Sequence, residues 1–244
     1  MYNNFGLILA DTIRSKAYIT NLLRERYYPK WILILGNNKN NNLPGGLSKN
    51  FLSTQNEKDY WTKFDFDHSK SLTELLDEYN LKYIKSKSKD INSDEVISSI
   101  KKAGPEIIIY SGYGGVILKE KVLSQGKKFL HVHGGFLPQY KGSTTNYYSI
   151  LNEGYIAASS IIMSNELDSG PILLRKKFKV PKNKILIDDK IDSIIRAQLL
   201  ILTLKKFEGF KKPINFSIKK RKGELFFIIH PVLKHISILS KKEF

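Results

Sequence analysis

The sequence predicts an α/β chain: a doubly wound, mostly parallel sheet with a small C-terminal appendage of one helix and a β-hairpin. Three observations lead there. Short apolar runs, Phe5–Ala10, Trp31–Leu35 and Ile107–Tyr110, are too brief for helices and read as strands buried on both faces. Stretches with helical spacing of apolar residues fall between them. Alternation of the two calls for crossover connections, and crossovers make parallel sheets.

The elements follow in order. Lys16–Arg26 puts Ile19, Leu22 and Leu23 on one helical face, behind N-cap candidates in Asp11–Ser15, and Pro29 stops it before the Trp31–Leu35 strand. Gly36–Asn56 is rich in Asn, Gly and Lys and reads as a long loop. Ser71–Tyr79 is a helix with Leu72, Leu75 and Leu76 inside, and Tyr83-Ile84 a short strand. Ser93-Asp94-Glu95 caps the helix Val96–Lys102. Ile107–Tyr110 is a central strand that turns sharply through Ser111–Gly115, and Lys119–Gln125 a short helix. Phe129–His133 is the next strand, Ser143–Asn152 a helix, and Ala157–Met163 and Ile172–Val180 two more strands. Asp188–Phe207 is a long amphipathic helix with an Asp N-cap and Gly209 beyond its end. After Pro213 the pattern turns to strands, Asn215–Lys219 and Leu225–Ile229, joined at Arg221–Glu224 as a hairpin. The expected division is residues 1–187 as the main domain and 188–244 as the appendage.

Composition narrows the function. With 244 residues and 41% hydrophobic content, the chain can bury one substantial core. It has no cysteine, which excludes disulfides, thiolate metal sites and a cysteine nucleophile. Met1–Asn4 lacks a basic segment followed by a long apolar run, and no stretch approaches a membrane span, so the expectation is a cytoplasmic protein without a membrane partner. The net charge of +17 favours anionic partners such as nucleotides, phosphorylated sugars or nucleic acid. Much of the excess is Lys, which shares A/T-rich codons with the abundant Asn and Ile. A basic stripe alone is a weak footprint, so nucleic acid is not the expected partner.

The chemistry concentrates at His131-Val132-His133-Gly134-Gly135-Phe136-Leu137-Pro138 and, later, at Asp168-Ser169-Gly170. Two histidines two residues apart on a strand share one face. In doubly wound sheets, ligands sit at the carboxyl ends of strands, where Tyr110–Gly115, the histidine strand and the Asp168 loop are expected to meet. Two imidazoles and a carboxylate form an acid/base constellation suited to carbonyl chemistry. The same three residues could ligate a metal in a hydrolase, although no second carboxylate or third histidine sits nearby in sequence. Thr144-Thr145-Asn146-Tyr147-Tyr148 reads either as an acceptor pocket, through Thr144 and Tyr147 with Lys141 near a phosphate, or as an ordinary helix with a tyrosine face. Gly112-x-Gly114-Gly115 has the wrong spacing for a dinucleotide fingerprint.

From Phe5 to Leu174 the chain resembles the folate-dependent formyltransferases, a group that includes methionyl-tRNA, glycinamide ribonucleotide and sugar N-formyltransferases. The resemblance rests on Pro105–Leu118, on His133–Pro138 with Gly142, and on Asp168–Leu173, three pieces in order at fitting separations. It implies the family's Rossmann-like fold and 10-formyltetrahydrofolate as co-substrate. It places His133 on the family histidine and Asp168 on its aspartate. His131 falls where the family has asparagine, and Gly134-Gly135 where it has Pro-Ser. Val116, Ile117 and Leu118, with Ser164, Asn165, Glu166 and Leu167, match segments that cradle the pterin, largely through backbone groups.

The implied reaction makes an oxyanion when an amine attacks the formyl carbon, so a donor must aim where that charge develops. His133 or His131 would donate, with Asp168 relaying the amine's proton; alternatively His131 is the base. About seventy residues follow Leu174, and a long helix uses part of them. That tail, and Asp11-Thr12-Ile13-Arg14 where the glycinamide enzyme has a phosphate loop, point to a nucleotide-linked amino sugar for surface glycans. The rival expectations are a metal-dependent hydrolase or deformylase, and a methionyl-tRNA formyltransferase-like protein that binds RNA. A homodimer through the appendage is compatible with the pattern.

Overall fold

The computed structural model describes residues 4–36, 64–211 and 222–242. The chain opens with β1 (Phe5–Leu9), α1 (Ile13–Arg24) and β2 (Trp31–Ile34). Thr12 caps α1 by accepting the Ser15 N–H, so the helix begins three residues earlier than its apolar spacing suggests. The predicted Gly36–Asn56 loop lies, beyond Gly36, outside the described residues.

α2 (Leu72–Glu78) starts with a full capping box: Ser71 accepts from the Glu74 N–H while the Glu74 carboxylate accepts from the Ser71 N–H. Then follow β3 (Ile84–Lys85), α3 (Asp94–Lys101), β4 (Ile107–Ser111), α4 (Glu120–Leu123) and β5 (Lys128–His133). Ser93 precedes α3, but its hydroxyl makes no capping bond. The next elements are β6 (Tyr140–Gly142), α5 (Thr145–Glu153), β7 (Ile156–Ile162) and β8 (Ile172–Phe178).

Seven strands form one sheet in the order β3-β2-β1-β4-β5-β7-β8. The first five are parallel, and β7 and β8 are antiparallel to their neighbours. Alternate residues enter opposite cores. Leu7, Leu9, Ile109, Leu130 and Val132 pack with α1, while Ile8, Ile108, Tyr110 and Phe129 pack with Val96, Ile97 and Ile100 of α3. The strand order reverses between β1 and β4, which opens a crevice at their carboxyl ends.

The C-terminal part departs from expectation in its helix start and in its strand pairing. The predicted Asp188–Phe207 helix is a 3-10 turn at Lys184–Leu186, a π turn at Ile187–Ile191, and only then α6 (Asp192–Lys206). Its residues Ile194, Ile195, Leu199, Leu200 and Leu204 are buried in the main core against α1. Asn215–Lys219, the first predicted hairpin strand, lies outside the described residues. The other contributes β9 (Glu224–Phe226), which pairs in parallel with β6, far away in sequence.

Last, Pro231–Leu239 is a helix, α7, in a stretch to which the sequence reading assigned no element. Proline at the first helical position leaves no orphan N–H, and the His230 ring accepts from the Val232 N–H. Among the described residues no helix is long and apolar enough to cross a membrane.

Candidate active site

β5 delivers the two histidines to the carboxyl edge of the sheet, and His133 is 4% exposed. Nε2 of His133 lies 2.8 Å from the Tyr140 carbonyl, and Nδ1 lies 3.4 Å from Oδ2 of Asp168. A carbonyl only accepts, so Nε2 carries a proton. The Nδ1 side then faces a carboxylate across a gap that has room for one further proton between the two groups. The Asp168 Oδ2 also accepts the Gly142 N–H at 2.9 Å. Nδ1 of His131 lies 3.4 Å from the Tyr110 carbonyl, the geometry of a long N–H donation.

Asp168 reaches this place by an indirect route. Because β7 runs against the parallel strands, the chain leaves it at the opposite end of β5, where the Met163 N–H donates to Phe129. Phe129 and His133 are four residues apart on the strand, about 13 Å. The loop therefore folds back along the sheet before Asp168, at φ 50°, turns to His133. Asp168 thus lies against the carboxyl end of β5, reached by a return along the sheet that the sequence reading did not foresee.

Val116, Ile117, Leu118, Ser164, Glu166, Leu167, His131 and Asp168 line one cleft. Asn165 turns out of it and donates to Glu120. Neither Val116 nor Leu118 makes a main-chain hydrogen bond within the described residues, which leaves edge-like N–H and C=O groups for a flat heterocycle. The three acceptor candidates are elsewhere. Lys141 donates to Ser169 beside Asp168. The Thr144 hydroxyl accepts from the Ile229 N–H, and Tyr147 is fully buried in the core beneath Lys234. Tyr147 is therefore the ordinary core face of a helix, not the wall of a pocket.

Two arginines flank the site that sequence reasoning did not single out. Arg14, one turn before Tyr18 on α1, bridges the crevice: Nε donates to Ser111 Oγ at 3.2 Å and Nη2 donates to the Gly112 carbonyl. Both partners are neutral, and no described carboxylate pairs with it. Arg196 on α6 donates to the Val132 carbonyl at 2.8 Å and pairs with Asp192 at 2.7 Å. In sequence these were a loop residue and one polar position of a helix, with no signal beyond charge.

The electrostatics follow from burial and these cations. Burial, then Arg14, Arg196 and His133, hold the His131 pKa well below the usual imidazole value, so the ring is neutral at pH 7. Burial also lowers that of His133, against the opposing pull of Asp168. Burial is the largest single influence on Arg196 and disfavours its cation, but Asp192, Tyr18 and Asp168 together outweigh it and raise the Arg196 pKa. Among the described residues no group of three His, Cys, Asp or Glu side chains is arranged to hold a metal.

The formyl transferase family profile matches residues 51–193, a stretch that contains both histidines and Asp168. A methionyl-tRNA formyltransferase from Finegoldia magna is 34% identical over 140 residues, 56% of this chain and 43% of that protein. One from Thermodesulfovibrio yellowstonii is 30% identical over 119 residues, 48% of this chain and 38% of that protein. The chain spans about two fifths of the length of these curated relatives.

Solved structures share the fold at low identity. A sugar N-formyltransferase from a Shewanella species matches 96% of this chain and 86% of its own, with TM-score 0.55 and 15% identity. A glycinamide ribonucleotide transformylase from Symbiobacterium toebii matches 91% and 95%, with TM-score 0.56 and 10% identity. An N-formyltransferase from Helicobacter canadensis, solved with folinic acid and dTDP-3-aminofucose, matches 92% and 71%, with TM-score 0.56 and 15% identity.

Proposed function

The chain belongs to the formyl transferase family, and from that premise we propose that it moves a formyl group from 10-formyltetrahydrofolate to the amine of a nucleotide-linked amino sugar. The folate, when bound, supplies a formyl carbonyl carbon open to attack by an amine. The unpaired main-chain groups of Val116 and Leu118 and the walls Ile117, Ser164, Glu166 and Leu167 would hold its pterin.

His131 and Asp168 both line the cleft, and His133 stands behind Asp168. With Nδ1–H on the Tyr110 carbonyl, Nε2 of neutral His131 is an acceptor. Together with the Asp168 carboxylate it would hold the two amine hydrogens and leave the nitrogen lone pair free for the formyl carbon. The proton released as the new C–N bond forms would enter the gap between Asp168 and His133, and from there would be returned to the folate nitrogen that leaves as its own bond to the formyl carbon breaks. This favours the acceptor role for His131 over the oxyanion donor expected from sequence. The positive potential of Arg196 would then favour the developing oxyanion.

The observation that carries the substrate class is Arg14, a guanidinium on two neutral oxygens at the crevice edge. It would attract an acceptor that brings its own negative charge, such as a diphosphate. The dTDP-3-aminofucose of the Helicobacter canadensis complex has that character. Methionyl-tRNA is the second reading, favoured by the sequence relatives.

The deciding experiment incubates the protein with 10-formyltetrahydrofolate and either a panel of nucleotide-linked amino sugars or charged initiator tRNA, and reads product mass. A formyl gain on a sugar, lost in His133→Ala, is the expected result. Gain on methionyl-tRNA alone would replace the sugar reading. No transfer to either, with chelator-sensitive hydrolysis of an N-formyl compound, would replace the transferase reading.

A further inference from the structure

Five main-chain groups at the end of β5 and in the turn after it are held by side chains from other elements. Arg196 of α6 donates to the Val132 carbonyl. Thr145 of α5 donates to the Gly134 carbonyl. Ser159 of β7 donates to the Gly135 carbonyl at 2.7 Å and accepts the Leu137 N–H at 3.0 Å. Arg175 of β8 donates to the Leu137 carbonyl at 2.6 Å. Only one of these grips falls between the two histidines, and that is the Arg196 contact at Val132.

The Arg196 contact is itself braced. Asp192, one turn before it, lies 2.7 Å from Nε of Arg196 and accepts Nδ2 of Asn146 at 3.2 Å. Asn146 in turn accepts the Ala157 N–H at 2.8 Å, which ties the pair to β7. Gly134 packs directly under the pair: a Cβ there would lie 2.3 Å from Asp192 Oδ1 and 2.6 Å from Arg196 Nη2. Gly134 has no positive φ, so glycine stands here for space and not for conformation.

We infer that Arg196, braced by Asp192, is a positioning residue that fixes the His131–Val132–His133 strand end from helix α6. A backbone carbonyl held between two imidazoles restrains both rings at once. Its effect on turnover rests on the transfer reading above; its effect on the rings does not.

The pair also sets the field at the rings, and with opposite signs. The groups facing them are Arg14 from α1, Tyr110 from β4, Tyr140 from β6, Asp168 from the β7–β8 loop, and Asp192 and Arg196 from α6. At His133, Arg196 disfavours the imidazolium and Asp192 favours it.

Nitrogen-15 spectra of the imidazoles test this without any substrate. The chain has five histidines, which single His→Gln variants assign. In Arg196→Met the His133 titration midpoint is expected to rise and its Nε2–H tautomer to mix with the other. In Asp192→Asn the midpoint is expected to fall. If Arg196→Met does not fold, Asp192→Asn alone decides. Folded variants with wild-type midpoints and tautomers, or shifts of the same sign, would overturn the inference even if formyl transfer is confirmed. Opposite shifts would uphold it even if no transfer is found. Where transfer is measured, kcat should fall about tenfold or more at little change in KM.

Discussion

Nδ1 of His133 lies 3.4 Å from Oδ2 of Asp168, although the strand leading to Asp168 leaves the sheet at the end away from His133. The loop that closes this distance also lines the cleft, so the carboxylate and the wall of the site are one segment. Under the proposed mechanism Asp168→Asn keeps the loop's shape and removes the proton acceptor. The expected result is a loss of kcat of roughly 10²–10⁴-fold at unchanged melting temperature, read by steady-state kinetics and calorimetry.

Arg14 gives the second prediction. Arg14→Gln keeps a donor for Ser111 and removes the charge at the crevice edge. KM for a nucleotide-linked acceptor should rise about tenfold or more, with kcat little changed, because a charge-assisted contact made in ground and transition states alike is lost. Equal effects on acceptors with and without phosphate would count against the diphosphate reading.

Stability should depend on pH through the histidines. His131 and His133 both have pKa values lowered by burial in the folded chain. The unfolded chain therefore binds more protons once pH falls through the ordinary imidazole value, about 6.5. Stability from these two groups is full above that value and declines as pH falls toward their folded pKa values. Urea unfolding between pH 8 and pH 5 should show it, and His131→Asn should flatten the slope. A slope unchanged by that substitution would separate the acid loss from His131.

Gly135 supplies a packing test. A Cβ there would lie 2.5 Å from Thr145 Oγ1 and 2.7 Å from His133 Nε2, in competition with the His133 contact to Tyr140. Gly135→Ala should destabilise by about 1–3 kcal/mol, the usual range for overpacking, and should disturb activity by displacing the His133 ring. Denaturant midpoints and turnover measured on the same preparation check both effects.

Where one stretch of chain carries its own instructions, the sequence was enough. Buried strands announce themselves as short apolar runs, and Ser71 with Glu74 writes a helix start within four residues. His131 and His133 share a face because a strand has period two. Two signals were local and still went unread: His230-Pro231 starts a helix just beyond the Leu225–Ile229 run read as strand, and the first residues of the long helix form a π turn.

What only the tertiary structure decided is every relation between distant segments. Periodicity carries no strand direction, so nothing in Ile156–Ile162 said that β7 runs against β5 or that Asp168 must return along the sheet. Nor did composition tell Arg14 and Arg196 from the other basic residues. They acquire their importance by burial beside two imidazoles, where low dielectric makes a single charge count, and that is a property of the packed molecule alone.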